Sequence, residues 1–569
     1  MTTILDFAGQ YDYVLRVSLI LCIVALGVHV LLNAGVFAVP QMGLMAVGGY
    51  VTAVLSTRYE LDPALAIPLA VLASTAVGLA LGAALVRLDG IYLAIATIAF
   101  NEIVRVTIRN LDITGGAQGL VGVPRWTNDL HILLLLGIAI VVLVRVGRTR
   151  FGAAVEAMRE DPLVAAHQGV NLGRYRLLLF AVAGLLAGLG GALDVHLSGY
   201  IEPTRYSFDG LVPVLAITIL GGMTSAVGPL LGGVIVFGVP EFLSVFDEYR
   251  ELLGGIVIVF VIVYAPGGLV GVIAAAAGRF RQPSPPSSDP PDSSVPIEAV
   301  IPKGPQHNGS EAAPLLVVEG VSRSFGGLRA LNDVSLTLDE GELFGLVGPN
   351  GSGKTTLLNV LSGVYRPSAG SISVDGRSLA GVYGQPHLIT AHGLARTFQG
   401  IRLVRGRSVL ENVMLGAYRV ESASLPSAVL NLPSCRAEIA ALRRRALAVL
   451  REFDIDDIAD RDVAGLPYGP QRKVEIARAL MPEPRLLLLD EPTAGMTITE
   501  RQQIFDLIHT VSERGITVVV VEHDIEAITE HCSRMAVLNF GEVIAEGEPR
   551  DVFQVRTVMD AYIGQRAHD

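Results

Sequence analysis

Residues 13–273 carry one apolar run after another, each near the length needed to cross a lipid bilayer, and nothing beyond residue 315 does. A span takes about 20 mostly apolar residues, because inside lipid every backbone polar group must be satisfied within the protein. This chain therefore belongs in two solvents. Spans are expected near 13–33, 36–57, 64–86, 91–110, 131–147, 176–196, 207–222, 226–243 and 251–273. The run at 13–33 lacks a small-residue cleavage site and reads as a retained anchor. The runs inside 207–243 are short and split by "GGMTSAVGP". One broken helix, two short spans or a re-entrant pair all fit.

Charge sets the orientation. Arg145, Arg148, Arg150, Arg159, Arg174 and Arg176 crowd one loop, which the positive-inside rule places in the cytoplasm. The soluble half carries "GPNGSGKTT", a phosphate-loop pattern expected to meet ATP in the cytoplasm, and so must lie on the same side; an even number of crossings is expected between Arg176 and Arg281. Two crossings in 207–243 satisfy this and turn "GGMTSAVGP" toward the cytoplasm. The total is about nine spans, with the N-terminus outside.

Gly184, Gly188, Gly190 and Gly191, then Gly232, Gly233 and Gly238, suit close helix approach and say nothing about substrate. Ionisable groups inside spans are expensive, so Asn101, Glu102 and Arg105 in "GIYLAIATIAFNEIVRVTIRN" mark either a substrate path or an ion pair between helices. Glu102 and Arg105 are spaced i, i+3 and can pair on one helix face. His29, Asp194 and His196 are weaker candidates of the same kind.

The loop "RTRFGAAVEAMREDPLVAAHQGVNLGRYR" is too polar to span. Helix formers precede Pro162, which marks a break or a new first turn, and Gly169 ends the second piece. A short helix–turn–helix docking a soluble partner is expected. Residues 280–314, dense in proline, serine and aspartate, cannot build a core. At about 3.1 Å per residue this linker reaches roughly 100 Å, so it tethers without imposing geometry.

From residue 315 the pattern is soluble α/β. The strand "LFGLV" runs into "GPNGSGKTT" and a helix, which is the phosphate-loop pattern in its required context. Gly348, Asn350, Gly351, Ser352 and Gly353 supply a loop whose N–H groups wrap phosphate. Lys354 brings charge to the β/γ phosphates, Thr355 a Mg²⁺ ligand, and Thr356 continues the helix start. "RLLLLDEPTAG" ends a buried strand in Asp490, suited to Mg²⁺ through water, and Glu491, suited to orient or deprotonate the attacking water. "TVVVVEHD" places His523 one strand further on, and "RTFQG" offers Gln399 to Mg²⁺ or the water. With 43 Lys and Arg against 54 Asp and Glu, the net charge of −11 lacks the basic footprint of a nucleic-acid binder. Cys22, Cys435 and Cys532 have no metal-ligand spacing.

The order of phosphate loop, Gln399, "LPYGPQRKVEIARAL", Asp490–Glu491 and His523 resembles the ATP-binding-cassette family. The resemblance implies two cassettes closing head to tail over ATP. It assigns Tyr468 and Gly469 to the signature presented to the partner's nucleotide, and Phe325 to adenine, with core packing as the alternative for Phe325. Pro470 replaces a glutamine of the usual signature and Thr497 an Asp or Asn. The site this chain completes in trans is accordingly expected to turn over more slowly than its own.

"SFGGLRALNDVSL", "GLARTFQGIRL" and "ENVMLGAY" are similar to the LivG-type ATPase of branched-chain amino-acid importers; "TGGAQGL", "AMREDPLVAAHQGVN" and "LGGMTSAVGPLLGG" are similar to the LivM-type permease. The expected fold is an α-helical polytopic membrane domain (1–279), the linker (280–314) and an α/β P-loop ABC ATPase domain (315–569). The resemblance makes loop 148–175, with Glu156 and Gly169, the coupling element. It implies ATP and Mg²⁺ as cofactors, residence in a bacterial inner membrane with the ATPase cytoplasmic, and an extracytoplasmic binding protein. A second permease and ATPase are needed, LivH-like and LivF-like or a second copy. Urea or short amides are alternative cargo. An exporter or a membrane-tethered regulatory ATPase fits the short loops and polytopic bundle less well.

Overall fold

The computed structural model describes residues 2–238, 255–256, 259–261, 263–265, 267–280, 314–418, 427 and 432–566. The chain divides into two compact units: residues 1–159 with 172–287, and residues 160–171 with 288–569. The linker's residues 281–313, the end of the span expected at 226–243 from residue 239, and positions 251–254, 257–258, 262 and 266 of the span expected at 251–273 lie outside the described residues.

The first unit is helical. It holds α1 (Thr2–Asn33), α2 (Gln41–Arg58), α3 (Pro63–Leu85), α4 (Gly90–Asn110), α5 (Asp129–Gly147), α6 (Arg150–Glu160, as far as Arg159), α8 (Leu172–Ser198), α9 (Phe208–Gly221), α10 (Gly228–Gly233) and the short antiparallel pair β1 (Leu120–Val121) and β2 (Tyr200–Ile201), while α7 (Pro162–His167) groups with the second unit. Among the described residues five helices are long and apolar enough to cross a membrane: Asp12–Asn33 of α1, then α3, α4, α5 and α8. The span expected at 36–57 starts late, because residues 34–40 leave the helix after Gly35 enters the left-handed region at φ 72°. The resulting α2 is short and largely buried. The apolar run at 207–243 resolves into the shorter α9 and α10, the latter passing into a π turn at Val234–Gly238, with Gly222 at φ 120° after α9.

Small residues let α8 sit at the centre of this unit. A Cβ built on Gly191 would stand 2.1 Å from the Met45 carbonyl oxygen, and one on Gly188 2.5 Å from Cβ of Ser74. Without hydrophobic drive between helices in lipid, such close backbone approach is what holds them. Arg159 donates to Asn33 Oδ1 at 3.0 Å and His29 Nδ1 lies 2.8 Å from the Met223 carbonyl. The 222–227 turn and the arginine-rich loop thus share one end of the bundle.

The second unit is α/β. Six strands lie in the order β12 (Glu542–Gly547), β11 (Arg534–Asn539), β5 (Leu343–Val347), β10 (Thr517–Val521), β9 (Leu486–Asp490), β8 (Leu394–Arg396). All neighbours are parallel except the β11–β12 pair. β5, β9 and β10 are buried from end to end, which is why β9 and β10 read as Leu and Val runs and β5 as the apolar "LFGLV". Each fully buried Leu or Val there contributes about 1.5–3 kcal/mol. An antiparallel sheet, β4 (Leu328–Leu338), β3 (Leu316–Phe325), β6 (Ala369–Val374) and β7 (Arg377–Ser378), completes the unit.

Candidate functional site

β5, β10, β9 and β8 are adjacent and parallel, so the loops after them open along one edge, where open α/β sheets bind ligands. After β5, the loop needs glycine at three points: Gly348, Gly351 and Gly353 have φ of 154°, 79° and 107°. A Cβ on Gly348 would meet the Leu538 carbonyl oxygen at 2.1 Å, and one on Gly353 the Ala330 oxygen at 2.6 Å. Lys354 opens the helix Lys354–Leu361, followed by Thr355 and Thr356. Its Nζ donates to the carbonyls of Gly348 and Pro349 at 2.7 and 3.0 Å, and Ser352 Oγ lies 3.5 Å away. Asn350 is exposed at the loop's tip. Burial pushes the Lys354 ammonium below its ordinary range, with Glu491 and Asp490 opposing.

Asp490, at the end of β9, is buried and accepts a 3.1 Å hydrogen bond from Arg396 Nη2. Burial raises the Asp490 carboxyl and Arg396 opposes this. Arg396 also donates to Asn359 Oδ1 at 2.6 Å and Ser362 Oγ at 2.9 Å. It therefore pins β8 and β9 to the helix that follows the phosphate loop.

Glu491 follows at φ 47°, the left-handed region, which costs a residue with a Cβ about 1–2 kcal/mol. Its N–H donates to Val521 O at 2.9 Å. That conformation turns its carboxylate out of the strand. Gln399 Nε2 donates to Glu491 Oε2 at 2.9 Å, and His523 Nε2 lies 2.8 Å from Oε1. The structure thus brings together three residues that lie on three different loops. Such a group can hold a water, accept its proton and sense a phosphate beside it.

The donors that would hold Mg²⁺ are hard oxygens: the Thr355 hydroxyl, the Asp490 carboxylate and the Gln399 amide. They fit a cation that takes one or two carboxylates and completes its shell with phosphates and water. Among the described residues no group of three or more His, Cys, Asp or Glu could hold a metal alone.

Other expected residues lie elsewhere. Phe325 ends β3 half-exposed, edge-on to Tyr365 with ring centroids 5.2 Å apart and Arg323 4.6 Å above its own ring. It is a surface aromatic and not part of a core. Tyr468 and Gly469 open the helix Tyr468–Leu480, with Pro470 in its first turn, where a missing N–H leaves no helix hydrogen bond unmade. Thr497 caps the helix Ile498–Glu513 and forms a capping box with Glu500, so it retains the local role of the usual Asp or Asn.

The loop 148–175 splits between the units. α6, with Glu156, groups as far as Arg159 with the helical unit, while residues 160–171 group with the α/β unit. Asp161 caps α7 through the Leu163 and Val164 N–H groups, Pro162 takes the first helical position, and Gly169 follows at φ 93°. Within the α/β unit, Thr390 Oγ1 donates to the His167 carbonyl at 2.9 Å and Asn171 Nδ2 lies 3.0 Å from His387 Nε2. The His167 ring stands edge-on to Phe398, the neighbour of Gln399, at 5.2 Å. Burial pushes His167 down to about 4.

In the helical unit, Asn101 parts company with its neighbours. It is buried, accepts from Gly43 N and donates to Val39 O, both at 2.8 Å, and so holds α4 to α2. Glu102 and Arg105 pair on the outward side of α4, with Glu102 53% exposed. A charge left there in lipid costs about 2.5–3.5 kcal/mol by insertion scales. His196 is satisfied on both ring nitrogens, by Thr52 at 2.9 Å and the Pro124 carbonyl at 2.7 Å. Asp194 pairs with Arg205 at 2.9 Å. These last two are structural contacts.

Arg396, Arg472, Thr390 and His167 carry much of this arrangement and were not singled out from sequence. The only cue was an arginine at the end of the short apolar strand "LAR". Arg472 sits among Gln, Arg and Lys and reads as a surface residue, yet it is wholly buried.

Comparison with known proteins accords with this geometry. The family model for the permease component of branched-chain amino acid transport systems matches residues 10–262, and that for ABC transporters residues 331–494. The high-affinity branched-chain amino acid transport ATP-binding protein LivG of Salmonella typhimurium is 38% identical over 253 residues, covering 44% of this chain and 98% of LivG. BraF of Pseudomonas aeruginosa, of the same description, is 36% identical with the same coverage. A crystal structure of an ABC-transporter cassette in its ADP conformation aligns at 28% identity and a TM-score of 0.40, over 44% of this chain and 100% of the cassette.

Proposed function

The chain belongs to the ATP-binding-cassette transporters, joining a branched-chain-type permease to a LivG-type ATP-binding half, and from that premise we propose that it drives import of branched-chain or other hydrophobic amino acids across a bacterial inner membrane. Its family activity is ATP hydrolysis coupled to transport. The observation that carries the proposal is the Gln399–Glu491–His523 cluster at the sheet edge of a chain that also holds the permease. The proposed domains are the permease at 1–279, the tether at 280–314 and the cytoplasmic cassette at 315–569.

In this reading the phosphate-loop N–H groups and Lys354 grip the β- and γ-phosphates. Glu491 orients the attacking water and accepts its proton, while Gln399 and His523 fix that carboxylate from both sides and His523 reaches the γ-phosphate. Thr355, Asp490 and Gln399 would hold a Mg²⁺ ion, whose charge would offset that of the phosphates. Phe325 stacks on adenine. Tyr468 and Gly469 face the nucleotide of a second cassette. Residues 148–175, with Glu156 and Gly169, couple cassette to permease. The Glu102–Arg105 face of α4 is turned to the substrate path, since lipid is a costly neighbour for it, and Asn101 braces that helix from behind. A second permease and cassette, LivH-like and LivF-like or another copy, and an extracytoplasmic binding protein complete the machine.

The test is uptake of labelled leucine, isoleucine and valine into liposomes holding the full chain and its partner subunits, with ATP on the cassette side and binding protein on the other. Uptake that needs both supports the proposal. Hydrolysis without uptake of any of the three sinks the substrate assignment, and outward transport sinks the direction.

A further inference from the structure

Among the described residues Arg472 is the largest wholly buried side chain, and nothing in phosphate chemistry requires it there. Its Nη1 donates to the Phe398 carbonyl at 2.9 Å and its Nη2 to the carbonyls of Gln399 at 3.1 Å and Glu491 at 3.0 Å. Nη2 also stands 3.4 Å from the Tyr468 hydroxyl. Glu475, one helical turn on and equally buried, accepts from Nη1 at 2.6 Å and supplies the counter-charge. One guanidinium thus touches the backbone of the glutamine loop, the backbone of the acid and the side chain that opens the signature helix.

We infer that Arg472 is a positioning residue that locks the signature turn, the glutamine loop and Glu491 into one body, so that the carboxylate stands ready only while the signature turn is seated. The physical ground is that a planar fork presents several N–H donors in fixed directions, whereas an ammonium is a compact charge on a flexible stem. Arg472 fixes the backbone at both ends of the Gln399–Glu491 hydrogen bond. It also holds the Phe398 carbonyl, whose ring meets His167 of the segment 160–171. Movement of that segment therefore reaches Glu491 through a chain of direct contacts. Nucleotide grip is a separate matter, because neither Lys354 nor the phosphate loop is among the groups Arg472 touches. The inference rests on Glu491 and Gln399 handling the attacking water.

The test uses the full chain purified from membranes with its partner subunits, assayed for steady-state ATP hydrolysis. R472K keeps the charge and loses the fork. Arg472→Met removes the guanidinium and leaves Glu475 matched by the buried Arg478, 4.0 Å away, so no charge is stranded. Both are expected to lower kcat at least tenfold with KM for ATP within twofold of the parent, and R472M to melt close to the parent. A purely structural role would lower folded yield and leave kcat per folded molecule unchanged. A folded R472M with parental kcat, or a rise in KM at unchanged kcat, overturns the inference. E491Q is the control: parental hydrolysis there sinks the role given to Glu491, whatever the Arg472 variants do.

Discussion

The hydroxyl of Thr390 donates to the carbonyl oxygen of His167 across 2.9 Å, fastening the end of α7 to the α/β unit by a bond neither partner can replace with water. Both residues are buried, so losing the donor leaves an orphaned carbonyl at a cost of about 1–3 kcal/mol. Thr390→Val is expected to lower substrate uptake severalfold while basal ATP hydrolysis stays within twofold. The ratio of ATP hydrolysed to substrate moved is the measurement; an unchanged ratio refutes a coupling role for this contact.

His167 should make the protein acid-labile. Burial holds it near 4, against about 6.5 unfolded, so the unfolded chain binds the proton more readily. The sign follows: its contribution is intact above about pH 6.5 and is lost as pH falls toward 4, up to about 3 kcal/mol. Asp161 favours the proton and Arg396 opposes it, with burial the largest effect. His167→Gln should flatten the fall in thermal stability between pH 6.5 and 4. Parallel melting profiles for parent and variant contradict this.

Glu491→Gln removes the group given the role of base and is expected to slow hydrolysis by about 10²–10⁴-fold with ATP binding retained. Lys354→Ala should lose ATP binding itself, because its charge faces the phosphates. Equilibrium binding and turnover, measured on the same preparations, separate the two effects.

Glu102→Gln strands Arg105 on the outward face of α4. Reduced uptake with normal ATP binding and normal folding is expected. Unchanged uptake in a folded variant removes the face from the substrate path.

Pro470→Gln with Thr497→Asp restores the signature elements usual in the family. Faster hydrolysis is expected if these departures slow the site completed in trans. In the structure Pro470 fits its helix turn and Thr497 caps its helix, so fold stability should hardly change. Equal rates at both sites of the parent complex refute the expectation.

Much of the ATP site was legible because its requirements are local. Gly348, Gly351 and Gly353 answer to backbone angles, and Leu486–Leu489 to a strand buried on both faces. Helix ends were legible at Pro162 and Gly169 for the same reason. The triplet Asn101, Glu102 and Arg105 was not separable, because Asn101 and Arg105, four residues apart, share a helix face while Glu102 is turned about 100° from Asn101, and only packing tells which side is covered. Asn101 is buried against α2, while Glu102 is exposed and Arg105 pairs with it.

The sequence by itself determined two solvents, a phosphate loop and the set of residues that could handle ATP, since apolar run length and short motifs are properties of adjacent residues. Tertiary structure alone decided that Gln399, Glu491 and His523 converge, that residues 160–171 group with the α/β unit, and that Arg472 is interior. These depend on carbonyls and rings from distant loops arriving within about 3–5 Å of one another, a coincidence set by strand order and invisible along the chain.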